Sequence, residues 1–284
     1  MKGQRNTETI SQIQKFQQWM RQRRYADQTI KTYSSMLEVF LSSFPDKSVD
    51  NITISDIEEF NYYHVIGHGF SYSYQNQMIN AIKLFYLKML GINVELKDLE
   101  RPMKSKHLPS VLSKEEVSDL ILSVRNIKHK AILSVIYSAG LRRSELANMR
   151  IMDIDSKRML IQIKQSKGAK DRVVGLSKKV LTLLREYYKL YKPQYYLFEG
   201  QEKGKYSGTS INLIFQRAKK KAGIKTNGGV HMLRHSYATH LHESGYDIRI
   251  IQELLGHRSS KTTEIYTHIS TKSISKVVSP FDDL

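Results

Sequence analysis

Hydrophobic residues in the first hundred positions recur at intervals of three and four, which is the spacing of amphipathic helices. One such stripe runs through residues 8–25, a second through residues 27–44 and a third through residues 71–91, where Gly91 has the position of a helix C-cap. We therefore predict a bundle of about four helices over residues 1–97.

Residues 98–110 interrupt this pattern, because they are polar and charged and contain two prolines. We interpret the segment as a linker. A new helix begins soon after it, where Ser113 and Glu116 have the spacing of a capping box. The chain is therefore expected to divide into a helical domain, residues 1–97, and a second domain, residues 111–284.

The second domain combines helices with one short hairpin. A helical pattern ends at Gly140, and two strand-like segments, residues 160–163 and 172–176, then flank a short turn. Helical patterns resume after the hairpin, at residues 178–191, 211–223, 231–244, 247–256 and 261–269. The expected fold class is mainly α with a small antiparallel β-hairpin, the second domain being of the α+β type.

The net charge indicates a polyanionic partner. The chain carries a formal charge of +18, of which residues 1–106 hold 14 Lys and Arg against 11 Asp and Glu, whereas residues 107–284 hold 31 against 16. Neutralising phosphates releases counterions, so the surplus of +15 in the second part makes nucleic acid the first candidate. A membrane surface fits less well, because we find no basic amphipathic helix with an aromatic apolar face.

Composition excludes several other classes of protein. The sequence has no cysteine, which rules out disulfides, thiolate metal ligands and a cysteine nucleophile. No apolar run approaches the roughly 20 residues of a membrane span, and the N-terminal residues lack the hydrophobic segment of a secretory signal. We therefore expect a cytoplasmic protein with no membrane partner.

Residues 228–245, GGVHMLRHSYATHLHESG, are unusually rich in histidine. His231 and Arg234 stand three positions apart and share a helix face, which His235 borders. A zinc site at the two histidines is weakened by Met232, where a metalloprotease helix has Glu, and by the neighbouring arginine. An arginine beside an imidazole suits an anion such as phosphate. A polar helix with ordinary hydrogen-bonded histidines is the third interpretation.

Other side chains that could take part in catalysis or binding stand at the ends of predicted elements. Arg142 follows Gly140 at the junction of two helices, and Lys167 lies in the turn of the hairpin. His257 comes directly after a predicted helix, and Tyr266 follows nine residues later. Each of these residues alone has an ordinary explanation, such as a helix cap or a solvent-exposed turn.

Five short strings together resemble the tyrosine recombinases, also called the phage integrase family: AGLRRSEL, SKGAKDR, HMLRHSYATHL, LLGH and TTEIYTHIS, in this order. The resemblance is strongest to the Xer-like and integron-type members. The first 97 residues resemble the family's core-binding, SAM-like domain only as a pattern of helices. Residues from about 107 onward resemble its catalytic domain.

The resemblance implies a site-specific recombinase that cuts and rejoins DNA strands through a 3′-phosphotyrosyl intermediate, with no cofactor, metal or ATP. The family's chemistry uses a nucleophile, donors to the phosphate oxygens, a general acid and an assisting base. The residues that match these positions are Tyr266 as nucleophile, Arg142 and Arg234 on the phosphate, Lys167 as acid, His231 as base or phosphate donor, and His257 as phosphate donor.

The same resemblance implies how the protein meets DNA. The expected partner is double-stranded DNA with an inverted-repeat core site, held in a two-domain clamp. The expected assembly is a homotetramer, or a heterotetramer with a second recombinase. Thr29 and Lys31 match the family's DNA-facing N-terminal segment, and Arg143 is a candidate backbone contact. The tail, residues 270–284, packs on a neighbouring subunit in relatives, and docking within its own subunit is the alternative.

The remaining polar residues of these strings receive structural interpretations. Glu145, one turn after Arg142, is expected to orient a neighbouring arginine rather than to act as an acid or a base. His235, His240 and His242 have no assigned chemistry, and ordinary packing or hydrogen bonding is the preferred explanation for them.

Three other functions are compatible with parts of the sequence. A metal-dependent nuclease would use the histidines as ligands, and it predicts inhibition by a chelator. A protein that only shapes or bridges DNA would explain the charge but leave the six matched residues without a purpose. A type IB topoisomerase would share the tyrosine and its pocket. Within the recombinase interpretation, integration, resolution and inversion all remain open.

Overall fold

The computed structural model describes residues 2–93, 110–164 and 171–256, together with Thr263, and gives side chains from residue 10 onward. The chain divides into two compact units, Met1–Lys106 and His107–Leu284, which are described separately below. Among the described helices, none is long and apolar enough to cross a membrane.

The first unit is the helical bundle that the apolar stripes predict. Within residues 2–93 its α-helices are α1 (Lys2–Gln22), α2 (Asp27–Ser42), α3 (Ile54–Phe60) and α4 (Tyr72–Phe85). α3 and α4 each continue as a π-helical turn, at Asn61–Ile66 and Tyr86–Leu90. The second turn ends at Gly91, whose φ of 69° is the left-handed conformation expected of a C-cap.

Helix α3 is the one that no apolar stripe marks. Its seven residues are too few to show a helical period, and its start is set by local hydrogen bonds. The hydroxyl of Thr53 accepts a hydrogen bond from the backbone N–H of Asp56 at 3.3 Å, and the Asp56 carboxylate accepts one from the backbone N–H of Thr53 at 2.8 Å. This reciprocal capping box fixes the beginning of the helix.

Aromatic side chains fill the core of the first unit. Phe16 meets Phe85 edge-on, with ring centroids 5.5 Å apart, and Phe40 lies equally buried nearby. Tyr86 is also buried, and its hydroxyl donates a hydrogen bond to the carbonyl of Val49 at 3.0 Å. The core thus joins α1, α2 and α4, and its buried phenol has the acceptor that it needs.

The second unit has the α+β composition expected. Its elements in chain order are α5 (Lys114–Leu122), α6 (Ile127–Ala139), α7 (Arg143–Asn148), β1 (Ile154–Asp155), β2 (Leu160–Ile163), β3 (Arg172–Gly175), α8 (Lys178–Tyr191), α9 (Gly208–Lys221), α10 (His231–Glu243) and α11 (Ile248–Leu255). The capping box of Ser113 and Glu116 forms as predicted at the start of α5.

The small sheet has three antiparallel strands in the order β1-β2-β3 rather than two. Ile161 is paired with Val174 on one side and with Ile154 on the other. The additional strand, β1, has two residues, so the alternation by which a strand is recognised in a sequence cannot develop in it.

Helix α6 is the centre of the second unit. Nearly all of its residues from Ala131 to Ala139 are buried, and α5, α7, α8, α9 and α10 pack around it. A helix that is apolar on all sides is typical of such a central position. It ends at Gly140 in the left-handed conformation, with φ of 59°.

Because Gly140 has no side chain, α10 and α11 can both pack closely against it. A Cβ atom there would lie 2.5 Å from the ring of Tyr237 on α10 and 3.0 Å from Leu255 on α11. The absence of a side chain thus lets the end of α6 meet both of these helices, and the candidate site is built at this junction.

Candidate active site

Arg142 stands at the N-cap of α7, two residues after the glycine that ends α6. Its backbone N–H donates to Glu145 Oε2 at 2.8 Å, and its Nη1 donates to Glu145 Oε1 at 2.7 Å. Its Nη2 donates to the carbonyl of Gly256 at 3.2 Å. The side chain remains 25% exposed, so the guanidinium is held by Glu145 and the Gly256 carbonyl while part of it faces solvent.

Arg234 lies in the first turn of α10 and is almost completely buried. Its Nη1 donates to the carbonyl of Gly140 at 2.6 Å, and its Nη2 donates to the carbonyl of Leu255 at 2.7 Å. The Nη1 atom also lies 3.8 Å from Glu145 Oε2. The structure therefore brings Arg142 and Arg234, which the family resemblance implies share one phosphate, to the same carboxylate.

Glu145 is the centre of this arrangement, and its side chain is only 2% exposed. Arg172, at the start of β3, donates through Nη1 and Nη2 to the two carboxylate oxygens, both at 2.8 Å. Burial acts to raise the pKa of Glu145, but the hydrogen bonds and charges of Arg172 and then Arg142 lower it to about 2. The prediction that Glu145 orients an arginine is confirmed, and three arginines are involved.

We call Arg142, Arg172, Arg234 and Glu145 the arginine cluster. Three positive charges against one negative leave it with a net charge of +2. Buried charge is costly unless it is paired, and the shared carboxylate provides the pairing. The surplus makes the exposed side of the cluster suited to an anion that carries two negative charges, as a phosphoryl transition state does.

The cluster also holds the end of α11. The last three carbonyls of this region each accept a hydrogen bond from a different arginine: Leu254 from Arg172 Nε at 2.7 Å, Leu255 from Arg234 and Gly256 from Arg142. Such carbonyls have no partner within the helix, and cationic donors satisfy them well. α11 ends as predicted at Gly256, in the left-handed conformation.

His231 is the first residue of α10 and is exposed. Loss of solvent around the ring, followed by the positive charges of Arg143, Arg234 and Arg142, lowers its pKa below the usual value. This shift favours the neutral imidazole, which can accept a proton or a hydrogen bond. Arg143 is exposed beside it and passes close to Gly208, where a Cβ would lie 3.0 Å from Nε.

Two other histidines of α10, His235 and His240, are buried or partly buried. Burial, followed by the charges of His231 and Arg234, lowers the pKa of His235 to about 4. His240 is buried, and its Nδ1 lies within hydrogen-bond distance, 2.9 Å, of the Tyr137 hydroxyl. Within the described ranges, no three His, Asp or Glu side chains converge as metal ligands would.

The remaining predicted residues fall into two groups. Lys167, His257 and Tyr266 lie outside the described residues, as does the tail at 270–284. The candidate DNA contacts of the first unit are both on α2, where Lys31 is exposed and Thr29 is half-buried.

Arg172 is the residue of the cluster that the sequence analysis missed. It lies 27 residues from Glu145 in a different element, so helical spacing could not relate the two. The available signal was a basic residue opening an otherwise apolar strand that packs against the core, a position that requires an acidic partner.

Comparison with known proteins identifies the family. The model of the Phage integrase family matches residues 110–273, and the model of the Phage integrase N-terminal SAM-like domain matches residues 13–96. Tyrosine recombinase XerA of Pyrococcus horikoshii is 39% identical over 74% of this chain and 74% of its own. A tyrosine recombinase of Thermosipho africanus is 34% identical over 87% of this chain and 91% of its own.

A solved structure agrees with these sequence relatives. The crystal structure of the XerH site-specific recombinase bound to palindromic difH substrate, a post-cleavage complex, has a TM-score of 0.73 and 25% identity, covering 89% of this chain and 80% of that one. The family models, the relatives and the fold lead to one assignment. The chain belongs to the phage integrase family and is a site-specific tyrosine recombinase.

Proposed function

We propose that this recombinase cleaves DNA by attack of Tyr266 on a phosphodiester that Arg142 and Arg234 hold. One observation carries the proposal: the two arginines come from different helices, yet both are fixed by Glu145 and by the last carbonyls of α11. Groups held in this way need no rearrangement when charge develops on the phosphate, which is what makes electrostatic stabilisation effective.

The reaction is balanced without an external energy source. The Tyr266 phenol oxygen forms a bond to phosphorus as the bond from phosphorus to the 5′-oxygen breaks, giving a 3′-phosphotyrosyl ester and a 5′-hydroxyl. One phosphodiester replaces another, so attack by a 5′-hydroxyl on the tyrosyl ester reseals the strand. The phenol must lose a proton, and the leaving oxygen must gain one.

The proton transfers have assigned carriers in this proposal. Lys167 protonates the leaving 5′-oxygen, and His257 donates a hydrogen bond to the phosphate. His231 takes the phenol proton or donates to the phosphate, and its lowered pKa favours the neutral, proton-accepting form. Arg142 is the more accessible of the two phosphate ligands, and Arg234 is the more buried.

The DNA partner follows from the family and from charge. We assign residues 1–97 to a core-binding domain, 98–110 to a linker and 111–284 to the catalytic domain. The surplus of +15 over residues 107–284 gives the catalytic domain the larger share of phosphate contacts. The XerH complex holds a palindromic substrate, which supports an inverted-repeat site here.

Assembly and place of action complete the proposal. An inverted repeat presents two equivalent half-sites, and exchange between two such sites requires four catalytic domains. We therefore propose a homotetramer on DNA, with a heterotetramer containing a second recombinase as the alternative. The protein acts in the cytoplasm, where it meets the nucleoid.

The test uses a nicked duplex that traps the covalent intermediate, because the short strand beyond the nick diffuses away after cleavage. The site is first selected from a pool of inverted-repeat duplexes by binding. In EDTA, we expect the wild-type protein to give a covalent adduct on a denaturing gel and Tyr266→Phe to give none. Arg142→Ala should bind the duplex yet reduce adduct formation by about a hundredfold or more.

Two results would contradict the proposal. Cleavage that appears only when magnesium is added would assign the chemistry to a metal-dependent nuclease. Relaxation of supercoiled DNA without a selected site, at full rate, would assign it to a topoisomerase.

A further inference from the structure

We propose that Arg172 is a positioning residue, which sets the place of the end of α11 relative to Arg142 and Arg234. It thereby fixes Leu254 and Gly256, whose neighbouring peptide units hold the two phosphate ligands. The inference rests on the proposed function for its activity readout. Its geometric content, that Arg172 fixes α11, is independent of that function.

The contacts of Arg172 join two elements through one planar group. Nε donates to the carbonyl of Leu254 on α11 at 2.7 Å, while Nη1 and Nη2 donate to Glu145 on α7, both at 2.8 Å. The side chain is 7% exposed, and Arg172 itself opens β3 opposite Ile163. One residue therefore connects the sheet, the carboxylate that holds Arg142, and the carbonyl end of α11.

Close packing reinforces these hydrogen bonds. A Cβ atom on Gly256 would lie 3.0 Å from Arg172 Cδ and 3.1 Å from its Nη1. The left-handed glycine that ends α11 is thus in direct contact with the arginine stem. The C-cap of α11 therefore packs against the side chain of Arg172.

The carbonyl contacts explain why this position matters for the phosphate ligands. Arg234 and Arg142 donate to the next two carbonyls, Leu255 and Gly256, so the three arginines hold consecutive peptide units. A displacement of α11 then changes the partners of both phosphate ligands. Arg172 influences them without having to contact the phosphate.

Lysine cannot replace the arginine here. The guanidinium is a planar fork that makes two parallel bonds to the carboxylate and a third bond along its edge. An ammonium keeps the charge, but from this position it reaches either Glu145 or the Leu254 carbonyl. Arg172→Lys therefore separates the charge of the residue from its geometry.

The matched control is Arg185→Lys on α8, an exposed arginine for which the structure describes no ion pair. In Arg172→Lys, we expect the rate of adduct formation on the nicked duplex to fall about tenfold or more, because small displacements at a reacting centre have effects of this size. The dissociation constant for DNA should change by less than about twofold, since the phosphate contacts of binding are distributed. Arg185→Lys should match the wild type in both.

A second measurement does not depend on activity. Amide hydrogen exchange of the peptide covering residues 248–256 reports the opening of α11 in the free protein. We expect it to accelerate severalfold in Arg172→Lys, while the peptides of α8 and α9 exchange as in the wild type. Unchanged exchange in α11 would overturn the inference whether or not the wild type cleaves DNA.

A neutral phosphate tests whether Arg172 acts through the phosphate ligands. On a methylphosphonate duplex, which lacks one negative oxygen, an arginine that touches the phosphate becomes less necessary. Because Arg172 acts through the placement of Arg142 and Arg234, we expect the defects of Arg142→Ala and Arg172→Lys both to shrink on this substrate. A defect of Arg172→Lys that alone persists there, or a wild-type rate in Arg172→Lys on the ordinary duplex, would overturn the inference. Failure of the wild-type protein to form any adduct would instead count against the proposed function alone.

Discussion

Replacing Glu145 by glutamine perturbs the arginine cluster at its centre. The substitution keeps the size of the side chain but removes the negative charge that three guanidinium groups share. The net charge of the cluster rises from +2 to +3, and an amide N–H₂ faces a guanidinium where an oxygen accepted hydrogen bonds. We expect the second unit to unfold more easily as a result.

The size of the expected loss in the free energy of unfolding follows from the pKa of Glu145. Burial acts against ionisation, but Arg172 and Arg142 lower the pKa from 4.5 to about 2. A lowering of this size corresponds to about 3 kcal/mol of stability. Because the folded-state pKa is the lower one, this stability is fully present above about pH 4.5 and is lost as the pH falls toward 2, with about 2 kcal/mol gone at pH 3.

The assay is urea-induced unfolding of the wild type and Glu145→Gln at pH 7, 5 and 3. The two proteins share every other titrating group, so the difference in their free energies of unfolding isolates this carboxylate. The wild type should be more stable by at least about 3 kcal/mol at pH 7, and the difference should shrink by about 2 kcal/mol at pH 3. Glu186→Gln, at an exposed position of α8, should stay within about 0.5 kcal/mol of the wild type.

One result would refute this reasoning. If the difference between the wild type and Glu145→Gln is the same at pH 7 and at pH 3, the carboxylate does not carry the charge that the cluster shares. The interpretation of Arg142, Arg172 and Arg234 as a paired, rigid unit would then fail.

Three further predictions concern the surroundings of the cluster. In thermal or urea unfolding, Gly140→Ala should lower the free energy of unfolding by at least about 2 kcal/mol. The control is Gly245→Ala, where the backbone is also left-handed but no atom lies within 4 Å of the added Cβ, and it should lower the free energy of unfolding by about 1 kcal/mol. A smaller loss at Gly140 than at Gly245 would contradict the close packing described here. When adduct formation is measured against pH, the wild-type rate should fall only below the usual histidine pKa of about 6.5. This decrease at low pH should be missing in His231→Gln. A decrease shared by both proteins would remove His231 from the proton transfers. Lys31→Ala and Arg143→Ala should each weaken DNA binding and reduce the slope of log K against log salt by about 0.9, as measured by fluorescence anisotropy, and an unchanged slope would remove that residue from the phosphate contacts.

Local signals in the sequence were sufficient for most of the helices. α8 spans 178–191 as predicted, since its apolar stripe is long and regular, and the left-handed glycines at Gly91, Gly140 and Gly256 each end the helix that they were expected to end. α3 and β1 were missed because seven and two residues hold too few positions to display a period. Element length therefore decided which elements could be predicted.

The site was predictable to the extent that its residues lie in recognisable strings. Arg142, His231 and Arg234 stand in two strings of the family, and the structure brings both arginines to Glu145. Arg172 closes the string SKGAKDR, but the string assigns it no role, because its partner Glu145 lies 27 residues away and the contact exists only in the folded chain. The hydrogen bonds from the arginines to the carbonyls of α11 could not be predicted either, since every residue has a backbone carbonyl and the sequence does not show which of them accept.

Locating the covalent bond in the adduct decides whether Tyr266 attacks the phosphodiester. The adduct formed in EDTA is digested with nuclease and trypsin, and the peptide of residues 262–272 is sequenced by mass spectrometry. We expect a nucleotide attached through its 3′-phosphate to Tyr266. Attachment to any other residue, or linkage through a 5′-phosphate, would contradict it.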